Sequence, residues 1–315
     1  MGDNGWPQIV IVGAGAVGSY FGGMLARAGA PVTLVGRQQH VETISRHGLH
    51  IDSLDFQQYV TIAATREVSA ARNAEFVLFC VKTYDTEQAA RTLAAHLTRG
   101  AVVVSLQNGV DNVERIRSAA GIEAIAAVVY VAVAMTAPGR VKHSGRGDLI
   151  IGNALRDGPN RQGDLDACAK LFARAGIPCR ISENIEAELW TKMIINCAYN
   201  AISALGRAKY ARLAQNQWTR DLMTKVSEEA LAVAGAAGVR MAETNIVDDV
   251  LQIADTMSGA TSSMAQDIAR GRRTEIDSLN GYLVRRGAKL GVAVPANQTL
   301  HALIKLLEET VVGDA

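Results

Sequence analysis

The stretch Ile9-Val10-Ile11-Val12 runs straight into Gly13, Ala14, Gly15, Ala16, Val17 and Gly18, and a helix-forming segment follows to Ala28 before Gly29. A G-x-G-x-x-G spacing between a strand and a helix has a physical use. The first glycine permits a tight turn, the second lets backbone approach a pyrophosphate, and the third lets helix and strand pack closely, while the helix N-terminus favours negative charge. These six residues therefore point to dinucleotide binding, the alternative being a Gly-rich turn without a ligand. At the end of the next strand the chain reads Val35-Gly36-Arg37-Gln38, with no carboxylate until Glu42. An acidic residue there would hold a ribose 2′-hydroxyl, whereas Arg37 can form a bidentate pair with a 2′-phosphate. NADP(H) is favoured over NAD(H), against the alternative that Arg37 is an ordinary solvated arginine. Lys82, at the end of Phe76–Val81, is a second cation at the same edge of the sheet.

A different kind of constellation lies in Trp190-Thr-Lys192-Met-Ile-Ile-Asn196-Cys-Ala-Tyr-Asn200. Lys192, Asn196 and Asn200 at i, i+4 and i+8 form one row about 12 Å long on a helix. Their neighbours Met193, Ile194, Ile195, Cys197, Ala198 and Ile202 are apolar, so the helix is largely buried and the row must face something polar. Asparagine is a poor interior helix residue, and an unpartnered buried amide costs roughly 1–3 kcal/mol. A ligand with several oxygens would satisfy the row; a network capping another helix is the alternative. A partly desolvated lysine beside a hydride-transfer site can protonate a developing alkoxide, as a carbonyl reduction needs.

Two classes of element must carry these residues. In the first half short apolar runs alternate with amphipathic stretches: Ile9–Val12 then Val17–Ala28, Val32–Val35 then His40–Arg46, Phe76–Val81 then Thr86–Leu97, Val102–Leu106 then Asn112–Ala119. That rhythm predicts a Rossmann-type, doubly wound parallel sheet. His50–Ala63 and Val141–Ile151 read as hairpins that finish the sheet in antiparallel fashion, and Ala124–Ala134 as a buried strand. After Ile181 the strand signal stops. Helical spacing marks Asn184–Leu205, Trp218–Ala236, Val247–Met257, Ser262–Arg270, Ile276–Leu290 and Pro295–Glu309. The expected class is α/β, with residues 1–182 a cofactor-binding Rossmann domain and residues 183–315 an all-helical domain carrying substrate and catalytic residues.

The balance of the chain narrows its partners. With 32 Lys and Arg against 31 Asp and Glu, the formal charge is +1, too small for a dedicated nucleic-acid or anionic-membrane binder. Among 315 residues 49% are hydrophobic but only 5% aromatic, which suits helix-covered parallel strands better than an aromatic-rich sandwich. Cys80, Cys168, Cys179 and Cys197 stand far apart and read as buried reduced thiols, and neither they nor the six histidines have metal-ligand spacing. No signal peptide or membrane span is readable, so a cytoplasmic location is expected.

Taken together, several runs resemble the 2-dehydropantoate 2-reductase, or ketopantoate reductase, family over almost the whole chain. They are Gly13–Gly18, Val81-Lys-Thr-Tyr-Asp-Thr86, Leu106-Gln-Asn-Gly-Val110, Glu188-Leu-Trp-x-Lys192 with Asn196 and Asn200, Ser262-Ser-Met-x-Gln-Asp267, and Thr274-Glu-Ile-Asp277 followed by Asn280-Gly281. The resemblance implies a Rossmann domain followed by a helical one, and NADPH-dependent reduction of 2-dehydropantoate to (R)-pantoate on the way to pantothenate and coenzyme A. It also implies roles. Lys192 matches the catalytic general acid and Glu275 a second essential carboxylate. Asn108 matches an amide beside nicotinamide and substrate, while Asn196, Asn200 and Ser263 match substrate-binding positions. Arg37 matches the 2′-phosphate arginine and Lys82 a further cofactor contact. From the residues alone, Glu275 reads equally as a helix N-terminal carboxylate and Ser263 as a helix cap.

Fold and cofactor loop do not choose a substrate. A relative acting on another 2-oxo acid would share them, with Tyr199 and Gly259-Ala260-Thr261 as places to alter selectivity. A non-catalytic NADP(H)-binding regulator would keep Gly13, Gly15, Gly18 and Arg37 without needing Lys192, Asn196, Asn200, Ser263 and Glu275. The sequence leaves oligomeric state open, a homodimer included.

Overall fold

Three of the strands are buried at every position, as parallel strands covered on both faces require. The computed structural model describes residues 5–155, 158, 160–241 and 245–312. The chain divides into two compact units, Met1–Ile185 and Glu186–Ala315.

In the first unit the order is β1 (Ile9–Val12), α1 (Ala16–Arg27), β2 (Val32–Val35), α2 (Gln38–His47), β3 (Leu49–Asp52), β4 (Gln57–Val60), β5 (Ala63–Thr65), β6 (Phe76–Phe79), α3 (Thr86–Ala94), β7 (Val102–Ser105), α4 (Asn112–Ala120), β8 (Ile125–Ala137), β9 (Arg140–Gly152), α5 (Gln162–Arg174) and β10 (Cys179–Ile181). The strands form one sheet in the order β4-β3-β9-β8-β7-β6-β1-β2-β5, with β10 added alongside β9. From β5 to β8 all neighbours are parallel. β1 pairs β2 on one side and β6 on the other, so the chain winds away from β1 in both directions. The loops at the carboxyl ends of β1 and β6 thus flank the switch point where open α/β sheets bind ligands.

The sheet is nevertheless mixed. β3–β4 and β8–β9 are antiparallel hairpins, whereas β3 runs parallel to β9 and β5 parallel to β2. The segment His50–Ala63 is therefore not one hairpin at one edge. Its first part pairs beside β9, and at its end the chain crosses to the opposite edge, where Ala63–Thr65 joins β2. Local alternation predicts a strand but carries no information on which edge it joins. The segment 152–181, unassigned by pattern, contains α5, whose buried stripe is Leu165, Cys168, Leu171 and Phe172.

The second unit is helical: α6 (Ile185–Gly206), α7 (Tyr210–Gln215), α8 (Gln217–Ala236), α9 (Ile246–Thr256), α10 (Ser263–Ala269), α11 (Asn280–Leu290) and α12 (Pro295–Val312). The helix expected at Ile276–Leu290 is broken. A 3₁₀ turn spans Ile276–Ser278, Leu279 lies off the helical region at φ −111°, ψ −104°, and α11 begins at Asn280. The break turns Asn280 wholly inward. Its Nδ2 donates to Cys197 O at 3.3 Å and to Asn297 Oδ1 at 2.9 Å. Asn297 Nδ2 in turn donates to Glu229 Oε2 at 2.9 Å, and that buried carboxylate accepts the Ala296 and Asn297 N–H groups at 3.0 Å each. One carboxylate thereby caps the start of α12, where the helix dipole favours it, and ties α6, α8, α11 and α12 together. Among the described residues no helix is long and apolar enough to cross a membrane.

Candidate active site

In the first unit the glycine loop is held by backbone groups. Gly13 and Ala14 donate to Val35 O at 3.0 and 2.9 Å, and Ser19 Oγ donates to Ala14 O at 3.3 Å. Gly13 sits at φ +108°, where a Cβ would lie 2.7 Å from the Cys80 carbonyl carbon and from Val81 N. At Gly18 a Cβ would lie 2.2 Å from Gly13 O. These two glycines are required by the fold of the loop itself. Gly15 differs: it is exposed, and a Cβ there would meet nothing within 4 Å. Gly15 is also the N-cap residue of α1, and no side chain caps the helix. Open space in front of uncapped N–H groups fits a pyrophosphate.

The loops after β6 and β7 are locked to each other. Buried Gln107 donates from Nε2 to Val81 O at 3.0 Å and Thr86 Oγ1 at 2.8 Å, and its Oε1 accepts from Ser105 Oγ at 3.0 Å. This holds half-buried Lys82, next to Val81, and half-buried Asn108, next to Gln107, on adjoining turns. Asn112 Nδ2 donates to Asn108 O at 2.6 Å. Arg115 reaches Glu87 at 2.7 and 2.9 Å and Thr83 O at 2.6 Å, and its hydrogen bond keeps the Glu87 carboxyl below its ordinary pKa. Gln107 lies within the quoted run Leu106–Val110, but its positioning role depends on contacts 21 and 26 residues away.

At the end of β2, Arg37 is exposed and extended, its side chain not capping α2. The neighbouring strand brings a residue that local pattern does not single out. Gly36 N donates to Thr65 O at 3.0 Å, which sets Arg66 beside Arg37, and Arg66 Nη1 lies 3.5 Å from Gln38 Oε1.

In the second unit α6 carries the polar row. Lys192 and Asn196 are half-buried and Asn200 is buried. Among the described residues neither the Asn196 nor the Asn200 side-chain amide hydrogen-bonds another protein group. The Asn200 backbone is fixed instead, its carbonyl accepting from Ser262 Oγ at 3.1 Å. Ser262 also accepts from Ala265 N at 3.0 Å and is the N-cap of α10, so Ser263 is not the cap; it is exposed at the first helical position. Glu275 is buried, and its side chain makes no capping hydrogen bond to the 3₁₀ turn that follows. Its backbone neighbours are tightly held: Thr274 N donates to buried Glu308 at 2.6 Å, and Ile276 N to Thr274 Oγ1 at 3.2 Å. Nearby, Asp277 accepts from His301 at 2.8 Å, Lys305 at 3.1 Å and Arg273 at 3.3 Å. Burial opposes its ionisation, but these bonds win and hold its pKa at about 2.

Tyr199 proves to be core. It is fully buried, its hydroxyl donates to Val250 O at 2.8 Å and its ring lies 4.3 Å from that of Tyr210, so it is no selectivity position. Burial also pushes all four cysteine thiols above their usual range, which leaves them poor nucleophiles.

The family described as Ketopantoate reductase PanE/ApbA matches residues 9–156, and its C-terminal family matches residues 184–308. A 2-dehydropantoate 2-reductase of Pyrococcus horikoshii is 32% identical over 301 residues, covering 96% of this chain and 97% of that one. The crystal structure of a PanE/ApbA family ketopantoate reductase from Ralstonia eutropha JMP134 superposes with a TM-score of 0.89 at 46% identity, covering 96% and 99%. D-mandelate dehydrogenase, solved with NADH and anilino(oxo)acetate, has the same fold at a TM-score of 0.89 and 23% identity, covering 96% and 99%.

Proposed function

Because this chain belongs to the PanE/ApbA family of ketopantoate reductases and is an oxidoreductase, we propose that it reduces 2-dehydropantoate to (R)-pantoate with NADPH, toward pantothenate and coenzyme A, in the cytoplasm. The observation that carries this reading is the row Lys192–Asn196–Asn200, whose half-buried Asn196 amide and buried Asn200 amide have no protein hydrogen-bond partner among the described residues. Residues 1–182 form the cofactor domain in this reading, and residues 183–315 supply substrate and catalytic groups.

Gly13, Ala14, Gly15, Ala16, Val17 and Gly18 form the pyrophosphate loop: the Gly13 and Ala14 N–H groups shape it by donating to Val35 O, and the uncapped N–H groups at the start of α1 bind the pyrophosphate. Arg37 takes the 2′-phosphate, Lys82 adds a cofactor contact, and Asn108 orients nicotinamide and substrate with its amide. When bound, NADPH supplies the hydride that goes to C2 of the oxo acid. Lys192 delivers the matching proton from Nζ to the carbonyl oxygen, so that the C=O becomes CH–OH and no alkoxide is left unneutralised. Asn196, Asn200 and Ser263 hold the hydroxyl and carboxylate ends of the substrate, and this fixed orientation lowers the entropic part of the barrier. Glu275 is the second essential group, a buried carboxylate whose backbone is pinned through Thr274 to Glu308.

The test is NADPH oxidation by the purified protein with ketopantoate, set against a panel of 2-oxo acids and against NADH. Ketopantoate with NADPH is expected to give the highest kcat/KM. A strong preference for another oxo acid would move the assignment to a relative of different specificity, and no turnover with any acid would make the chain a regulator.

A further inference from the structure

Two arginines that follow the neighbouring strands β2 and β5 stand together at the edge of the sheet. β5 runs parallel to β2 with Thr65 opposite Val35, and neighbouring strands lie about 4.8 Å apart. Arg66 follows Thr65 directly, Arg37 follows Val35 by two, and the Gly36–Thr65 hydrogen bond keeps the two chain segments side by side beyond the ladder. Both side chains are exposed, and among the described residues neither guanidinium is in an ion pair. The contact of Arg66 with Gln38 Oε1 is 3.5 Å, too long to restrain it, and Gln38 spends its amide on Glu42 at 2.7 Å. Glu42 is thus engaged by the Gln38 amide, and among the described residues it forms no ion pair with either arginine. The N-terminus of α2, ten residues long and uncapped by any side chain, opens at this same place.

Like charges placed side by side without a counter-charge repel, and a phosphate monoester near pH 7 carries about −1.5 to −2. One arginine cannot neutralise such a group; two can. The ribose 2′-hydroxyl of a cofactor lacking that phosphate would leave both unmatched. We propose that Arg66 is a second specificity-determining residue for the 2′-phosphate, acting with Arg37 to set the preference for NADPH over NADH. This rests on the NADPH reading above and adds a residue to it.

Binding is measured on the full chain without any oxo acid, by calorimetry with adenosine 2′,5′-bisphosphate and 5′-AMP and by fluorescence titration with NADPH and NADH. Arg66→Ala is expected to weaken the bisphosphate and NADPH by about tenfold while leaving 5′-AMP and NADH within about twofold. Arg66→Lys falls between, because a point charge replaces the planar fork. Arg99→Ala, an exposed arginine in the turn before β7, leaves all four ligands unchanged. If Arg66→Ala binds the bisphosphate as the wild type does while Arg37→Ala does not, the inference falls and the NADPH reading stands. Equal loss for 5′-AMP and the bisphosphate also overturns it, since Arg66 would then act on the shared part of the ligand. A wild type that binds the bisphosphate no more tightly than 5′-AMP removes the NADPH preference and this role together.

Discussion

Between Val12 and Ser19 the candidate ligand groups are backbone N–H groups, and the side chains around them are Ala, Val or nothing. On α6 the position is reversed: the backbone is consumed by the helix, and Lys192, Asn196 and Asn200 offer only side chains. The first arrangement is set by local geometry, since the space at Gly13 and Gly18 is taken by the loop and by the β6 end. The second is set at long range. α6 keeps its place through Asn280, Asn297 and Glu229, residues up to 83 positions apart in the chain from the groups they bind. A backbone site fails when a Cβ intrudes, and a side-chain site fails when one functional group is lost. That difference separates binding from chemistry in the proposed reaction.

The largest effect follows from removing the proton donor. Lys192→Ala is expected to lower kcat by about 10²–10⁴ while the Kd for NADPH, read by fluorescence, stays within about twofold. Near-normal turnover would take Lys192 out of the role and blur the contrast between the two regions.

Glycine substitutions divide the loop itself. Gly18→Ala places a Cβ 2.2 Å from Gly13 O, so thermal unfolding should show a loss of about 1–3 kcal/mol together with weak cofactor binding. Gly15→Ala meets no protein atom within 4 Å, so stability should be unchanged and only NADPH affinity should fall, by about tenfold. A lowered Tm for Gly15→Ala would mean that the position serves the loop and not a ligand.

The smallest effect concerns the charged cluster behind Glu275. The Asp277 pKa of about 2 lies below that of an unfolded aspartate, so its contribution to stability is complete above about pH 4 and is lost as pH falls through 2. Because this side chain is one-third exposed, solvent discounts the contribution to about 1 kcal/mol. Asp277→Asn is therefore expected to lower Tm slightly from pH 5 to 8 and to converge with the wild type near pH 2. Parallel curves down to pH 2 would show that the carboxylate charge contributes nothing.

Legibility followed the range of the interactions. The strand–loop–helix frame, the expected segments of α1, α3, α4, α6, α8 and α12, and the row on α6 were all readable, because each depends on spacing within a few residues. The break at Leu279 was not, since the forces that turn Asn280 inward come from Cys197 and Asn297. Tyr199 read as a selectivity position because its partners Val250 and Tyr210 are distant or on another helix. Ser262 and Ser263 are adjacent serines at the start of a helix, and only the tertiary structure distinguishes the cap from the exposed neighbour.

The sequence by itself determined the kinds of chemistry available: a glycine turn that admits a phosphate, an arginine without an acidic competitor before Glu42, and a lysine with two amides on one helix face. Residue type and periodicity settle such things, because they act over one turn of helix or one strand. Tertiary structure alone decided which distant residues share a place. It put Arg66 next to Arg37 through the parallel pairing of β5 with β2, and it fastened the Lys82 and Asn108 loops with Gln107. Strand partners and buried hydrogen bonds are chosen by the packing of the whole unit, and no window of neighbouring residues contains that information.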